Sequence, residues 1–471
     1  MPTFAAEKLA TWTGGNWSPF PGAALTGFNQ DTRALTAGQV FVALKTDKRD
    51  GHDFLGEARG RGAAGALVAH PVAGESLAQL VVADPLTAFQ TIAREHRRAF
   101  SGPVVGVTGS VGKTSTKDLL ALLLGGVGAV FDRPGQSQTG PIVSPVLATE
   151  GNLNNYIGIP LTLTKLELAT HRFAVIEAGI NTPGEMQGLA EMIEPDHAIV
   201  TLVAPAHLER LGSLDGVAAE KVTLLRHVRS GGVQVFPVSC WQHAVFHGLP
   251  NPLILVPENE GMTRIKGRAV KFNVFHRPER SEVRLDGKRT FILRRVSSGM
   301  AQNAALALAL ASELGVTDAD LQARLEGWQP SKWRGERRRS GQAIVYCDFY
   351  NANPASMGDA VDAFSSTVGA ELPRLYVIGS MEELGADAGE YHRQFGRTMH
   401  LRPGDHLFAI GSQAEALREG LLENGNDPAQ VEVIHGLSPV RQRLVGFKGA
   451  VFLKGSRRYQ LETILEPQLV H

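Results

Sequence analysis

The 471-residue sequence predicts an α/β protein of three domains. These are a small mixed α/β N-terminal domain, a central parallel-sheet domain and a C-terminal Rossmann-like domain. Three observations predict this. The length suggests about three units at roughly 150 residues each. Apolar runs of strand length alternate with helical patterns from Val104, and the alternation restarts from Ile344. Two breaks separate these regions: Ser101-Gly102-Pro103, and the polar stretch Trp328–Arg339 with Pro330 and Gly335, which reads as a linker. The expected domains are therefore 1–101, 102–328 and 329–471.

In the first unit, Gln39–Leu44 reads as a strand on its β-branched and aromatic residues. Phe54–Arg61 looks helical, and Ala66–Ala69 and Leu80–Ala83 look like short buried strands. Pro85 suits the first turn of a helix reaching about Phe100. In the central unit, Val104–Thr108, Phe173–Glu177 and Ala198–Leu202 are mostly apolar, as strands covered on both faces should be. From Leu253 to Val296 the pattern suggests shorter antiparallel strands with a turn at Asp286-Gly287. The helix Asn303–Leu314 follows and closes at Gly315. Ile344–Cys347, Leu375–Ile378, Leu407–Ile410, Val431–Ile434 and Ala450–Leu453 are five strands of the last unit. The Pro/Gly/Ser/Thr-rich stretch 132–149 reads as a loop.

Composition narrows the function classes. Hydrophobic residues are 43% and charged residues 20%, which excludes a disordered chain. Lys plus Arg and Asp plus Glu are each 47, so no net positive charge recommends nucleic acid as a partner. Cys240 and Cys347 are the only cysteines, which excludes a disulfide framework and a Cys-based zinc site and fits a cytoplasmic setting. Met1–Gly15 has no apolar core of a signal peptide. The longest apolar stretch, Leu119–Phe131, is too short to span a bilayer and is broken by Gly125, Gly126 and Gly128. The expectation is a cytoplasmic protein without membrane insertion, acting as a monomer.

The clearest chemical signal is Gly109-Ser110-Val111-Gly112-Lys113-Thr114, with Ser115 after it. It follows a strand and opens a helix, the context of a phosphate-binding P-loop. Glycines let backbone N–H groups approach phosphate oxygens, and the helix N-terminus adds positive potential. Lys113 would reach the β- and γ-phosphates and the Thr114 hydroxyl would ligate Mg²⁺. The longer form of the loop would have Gly at Val107, so this is the shorter GxxGKT form. The competing reading is an ordinary strand-to-helix turn.

Thr108-Gly109-Ser110-Val111-Gly112-Lys113-Thr114 resembles the loop of the Mur ligases, the ATP-dependent amide-forming enzymes of peptidoglycan synthesis. Further segments resemble that family in its order, from near residue 30 to near residue 457. They are Asp31-Thr32-Arg33, Gly51-His52-Asp53-Phe54, Gly151-Asn152-Leu153-Asn154-Asn155, Val175-Ile176-Glu177-Ala178-Gly179, Ala206-His207-Leu208-Glu209, Lys221, Tyr350-Asn351-Ala352-Asn353-Pro354 and Lys454-Gly455-Ser456-Arg457. The resemblance implies the member that adds D-Ala-D-Ala to UDP-N-acetylmuramoyl-tripeptide, with ATP and Mg²⁺, through an acyl phosphate. Lys113, Glu177, His207 and Lys221 would be catalytic. Thr114, Glu177, His207 and Lys221, the last as a carbamate, would hold metal. Asn303 would contact adenine, Arg334 the ATP phosphates with Arg337 as competitor, and Asp348 the ribose. Thr32, Arg33, Asn154 and Asn155 would line the UDP-sugar side. Tyr350, Asn351, Asn353 and Ser456 would bind substrate on the dipeptide side.

Several of these residues have plainer readings. Glu177 could be a solvated strand-end carboxylate, His207 structural, Lys221 an exposed helix lysine beside Glu220, and Asn303 a helix N-cap. Arg33 could pair with a diphosphate or with a nearby carboxylate. Two segments depart from the family pattern: Ser297–Asn303 lacks the His and first Asn of GxHNxxN, and Gly379-Ser380-Met381 lacks the Asp of GDM. These losses motivate the alternative of a degenerate nucleotide-binding relative. A diamino-acid-adding Mur ligase is the other alternative, and its DNPR motif is missing. Folylpolyglutamate synthases share the loop but would not explain the Asp31–Phe54 segments. A small-molecule kinase would share the loop only.

Overall fold

The structure is a computed structural model that describes residues 2–126, 144–260 and 265–465. Its three sheets arise from the apolar runs. The first has five strands in the order Asn16–Ser18, Gln79–Val81, Gly65–Val68, Val40–Val42, Phe28–Asn29, parallel except at Asn16–Ser18. The helix Pro85–Arg98 covers one face, burying Phe89 and Ile92 against Val40, Val42, Leu67 and Leu80. Asp84 caps it by accepting from Thr87 N at 2.8 Å, and Pro85 takes the first turn as expected.

The second sheet has nine strands. From one edge they are Arg289–Arg294, Arg280–Leu285, Arg268–His276, Pro252–Pro257, Gln234–Pro237, His197–Val200, Val104–Thr108, Phe173–Glu177 and Val146–Ala148. Val104–Thr108 therefore runs through the interior of the sheet. Its alternate residues serve two cores. Val105 and Val107 join helices Lys113–Leu123 and Ser298–Glu313, while Val104 packs with helices Glu185–Ile193 and Leu214–Arg226. The third sheet runs Glu336–Ser340, Ala343–Asp348, Ala450–Lys454, Arg374–Gly379, His406–Ile410, Val431–Ile434, parallel except for the first strand.

Arg97 fastens the first sheet's helix to the second body. Its side chain is fully buried and donates to Ile193 O at 3.0 Å, Glu194 O at 2.8 Å and Asp196 Oδ2 at 2.7 Å. A buried guanidinium is tolerated because its donors are satisfied.

Four expectations need correction. Pro252–Pro257 is parallel to both neighbours, because Leu253, Ile254, Leu255 and Val256 are all buried. Antiparallel pairing starts only where Arg280–Leu285 begins to alternate. The stretch read as linker contains the edge strand Glu336–Ser340, polar because an edge faces water. Within 132–149, Val146–Ala148 is a strand, and residues 132–143 lie outside the described residues. The helix after strand Arg289–Arg294 starts at Ser298 with Ser297 as its cap, so Asn303 is interior to it and is not an N-cap.

Candidate active site

The loop after Val104–Thr108 requires glycine at two positions. Gly109 has φ +148°, and a β-carbon there would lie 1.9 Å from Thr201 Oγ1. Gly112 has φ +82°, and a β-carbon would lie 2.2 Å from Asn303 Nδ2. The backbone is thus pressed against Thr201 on one side and Asn303 on the other. Ser110 Oγ donates to Ala204 O at 2.8 Å and accepts from Ala204 N at 3.0 Å, which anchors the loop to the next strand's exit. Thr201 Oγ1 donates to Val111 O and fixes the loop's tip.

Lys113 Nζ donates to Gly109 O at 2.8 Å. Burial lowers its pKa, the Glu177 charge opposes that, and Arg334 reinforces it. Thr114 Oγ1 accepts from Arg334 Nη2 at 3.0 Å, and the Arg334 guanidinium stacks 3.9 Å over the Tyr350 ring. Ser115 is buried in the helix. Arg337 lies exposed on the edge strand, leaving Arg334 as the arginine at the loop.

Glu177 ends its strand buried, 1% exposed, which excludes the solvated reading. Its Oε1 accepts from Asn154 Nδ2 at 2.7 Å, while Oε2 has no partner among the described residues. An unpartnered oxygen on a buried carboxylate is costly, and a bound cation would satisfy it. Lys221 is 2% exposed, so it is not a surface lysine. Burial holds its pKa well below the usual lysine value, and Lys113 lowers it further. His207 sits at φ +55° and caps the short helix Leu208–Leu211. Its Nδ1 is 2.5 Å from Glu383 Oε2, on a loop of the third sheet. That bond is the first cause of a lowered Glu383 pKa.

The remaining candidates divide between two regions. Thr32 and Arg33 line a cleft of about 850 Å³ with Lys45, Arg49, His52 and Tyr156. Arg33 donates to Asp31 at 2.9 and 2.7 Å. Asn155 Oδ1 accepts from Gly158 N, at the start of the helix Gly158–Leu163, at 2.8 Å. Asn154 was expected beside them, and its side chain instead holds Glu177. At the third sheet, Asp348 pairs with the buried Lys454 at 2.9 Å. Asn353 Oδ1 caps the helix Pro354–Thr367. Asn351 Oδ1 accepts from Ala352 N at 2.9 Å, and Ser456 Oγ from Arg458 N at 3.4 Å. The altered segment at Ser297–Asn303 is braced by Asp359, which accepts from Gly299 N at 2.9 Å. A histidine side chain at Gly299 would meet Asp359, since a β-carbon there would lie 2.6 Å from Asp359 Oδ2.

Sequence reasoning missed Thr201, Asp359 and Glu383. Thr201 carried a faint signal, since it ends a strand next to the loop's own. Glu383 carried none, because its partner is 176 positions away.

A glycine loop at the end of an interior parallel strand, with Lys113, Glu177 and Lys221 beside it, defines a P-loop enzyme of phosphate chemistry. Residues 107–310 match the Mur ligase middle domain, and residues 333–457 the Mur ligase glutamate ligase domain. The UDP-N-acetylmuramoyl-tripeptide--D-alanyl-D-alanine ligase of Synechocystis sp. is 33% identical over 87% of this chain and 81% of its own length. The ligase of the same name from Escherichia coli (strain K12) is 31% identical over 92% of each chain. A crystal structure of MurF from Acinetobacter baumannii superposes with TM-score 0.83 at 27% identity, covering 98% of both chains. The chain belongs to the Mur ligase family.

Proposed function

We propose that this chain is an ATP-dependent, ADP-forming ligase that joins D-Ala-D-Ala to UDP-N-acetylmuramoyl-tripeptide. The relatives' activity supports the reaction. The observation that carries the chemistry is the buried Glu177 with its unpartnered Oε2, set among Lys113, Asn154 and the phosphate loop.

In this reading the N-terminal cleft holds the UDP-sugar through Thr32 and Arg33, and the stem peptide extends toward the loop. A carboxylate oxygen of the tripeptide attacks the γ-phosphorus, the bridging P–O bond breaks, and ADP leaves. Lys113 and the loop N–H groups offset the charge that develops on the phosphoryl oxygens. The dipeptide amine then adds to the acyl carbon, the C–O bond to phosphate breaks, and the amine's proton is released. Tyr350, Asn351, Asn353 and Ser456 orient that amine, Asp348 the ribose and Asn303 the adenine. Thr114, Glu177, His207 and Lys221 would hold Mg²⁺, which when bound supplies Lewis-acid neutralisation of phosphate charge. Burial lowers the Lys221 pKa well below the usual lysine value, which favours the unprotonated amine that attack on CO₂ needs; in that attack an N–C bond forms and a proton leaves. The carbamate so formed is an anion that the nearby Lys113 would balance. Arg334 turns from Thr114 to the phosphates when nucleotide binds. No helix among the described residues is long and apolar enough to cross a membrane. That is compatible with a cytoplasmic monomer working on small-molecule substrates, without nucleic acid.

The test is phosphate release from ATP with UDP-N-acetylmuramoyl-tripeptide, with and without D-Ala-D-Ala, together with product mass. Release that needs the dipeptide, with a mass gain of one dipeptide residue pair, is the expected result. Release with a single amino acid would move the chain to another ligase step. ATP binding without release for any amine would make it a degenerate relative.

A further inference from the structure

His207 and Glu383 meet from different sheets, and both hold a backbone conformation that disfavours a β-carbon. His207 has φ +55° and Glu383 φ +63°. Such positions persist where the surroundings over-determine them, and they concentrate at functional contacts. Around the pair the two segments touch backbone to backbone. Glu209 N donates to Glu383 O at 3.4 Å. Gly385, at φ +70°, has room for a β-carbon only 3.4 Å from Glu209 Cα. The Glu383 side chain is 56% exposed, so water could have served it, yet it is aimed at His207 Nδ1 at 2.5 Å.

A carboxylate on one ring nitrogen decides what the other can do. With Nδ1–H donated to Glu383, the lone pair resides on Nε2 and the ring cannot rotate freely. We propose that Glu383 is a positioning residue for His207, holding the imidazole in the Nδ1–H tautomer so that Nε2 is free to accept a ligand. The carboxylate comes from the loop after strand Arg374–Gly379, whereas His207 follows strand His197–Val200. Orientation of the ring therefore depends on docking of the third sheet's loop onto the turn at 207–209. This rests on the reading of His207 as a metal ligand given above, and extends it to a residue outside the ligand set.

The experiment uses the full chain labelled with ¹⁵N-histidine, with the His207 signals identified by their loss in His207→Asn. Long-range ¹⁵N–¹H spectra, taken at a pH alkaline enough that the ring is neutral, should show His207 protonated at Nδ1 and bare at Nε2. In Glu383→Ala the proton should move to Nε2, and in Glu383→Gln, which keeps an acceptor, the Nδ1–H tautomer should return. A wild-type ring protonated at Nε2, or a tautomer unchanged in Glu383→Ala, overturns the proposal. Mn²⁺ titrated with ADP supplies the second readout. Broadening of the His207 ring signals in the wild type, and a Mn²⁺ affinity roughly 10- to 100-fold weaker in Glu383→Ala, are expected. Equal affinity in the two proteins overturns the positioning role. Absence of broadening in the wild type refutes the metal-ligand reading instead, and with it the purpose assigned to the tautomer.

Discussion

Replacing Asn154 with Ala separates two roles for that side chain. Its Nδ2 donates to Glu177 Oε1 at 2.7 Å, and Glu177 is 1% exposed with Oε2 already unpartnered. The substitution leaves a buried carboxylate with neither oxygen hydrogen-bonded. A hydrogen bond to a charged group contributes about 1.5–3 kcal/mol, and leaving its buried partner unmet puts the loss in the upper part of that range. A loss of about 2–3 kcal/mol in a unit of this size lowers the melting temperature by roughly 5–10 °C. The assay is calorimetric melting in EDTA, paired with steady-state kinetics. The expected result is the lower melting temperature and a reduced kcat, with KM for the UDP-substrate within about twofold, since Asn154 acts through Glu177. Unchanged melting with a KM raised by tenfold or more would refute this reasoning and return Asn154 to the sugar side.

Gly112→Ala forces a β-carbon at φ +82° into Asn303. The left-handed conformation alone costs about 1–2 kcal/mol, so ADP affinity measured by calorimetry should fall at least about tenfold. Arg334→Ala removes both the bond to Thr114 and the stack on Tyr350. Its kcat/KM for ATP should fall roughly 10- to 100-fold, and Arg334→Lys should rescue little, because an ammonium does not stack as a planar guanidinium does. Burial pushes the thiols of Cys240 and Cys347 up to about 12. Neither should react with a disulfide reagent at pH 8 in the native protein, and both should react in urea. The raised values also make stability fall as pH climbs from about 9 to about 12, because the unfolded chain ionises first; urea midpoints across that range check the sign.

Strands buried on both faces were legible because their signal is local. All five strands expected in the third sheet are present. The phosphate loop was legible for the same reason, its glycines, lysine and threonine being contiguous. Edge strands were not. Asn16–Ser18 and Glu336–Ser340 are polar and short, and only pairing with a neighbour makes them strands. The direction of Pro252–Pro257 was misread because a short apolar run does not tell parallel from antiparallel. The environment of Glu177 depended on Asn154, 23 positions earlier, and that of His207 on a loop of another sheet. Such contacts are products of topology and leave no periodicity to read. Asn303 shows the same limit. The resemblance implied only a contact with adenine, whereas its approach to Gly112 and its place inside the helix behind the Ser297 cap follow from the fold.

Arg97 gives the molecule a fixed scale. By bonding across from helix Pro85–Arg98 to the segment at Ile193–Asp196, it keeps the N-terminal cleft and the phosphate loop from sliding past one another. The span between them then works as a ruler. Under the proposed function, a substrate held by its nucleotide end in the cleft would offer its far end for measurement at the loop, and a stem one residue too short would stop before the γ-phosphate. Chain length would be gauged by the frame itself, without any pocket that recognises the missing residue.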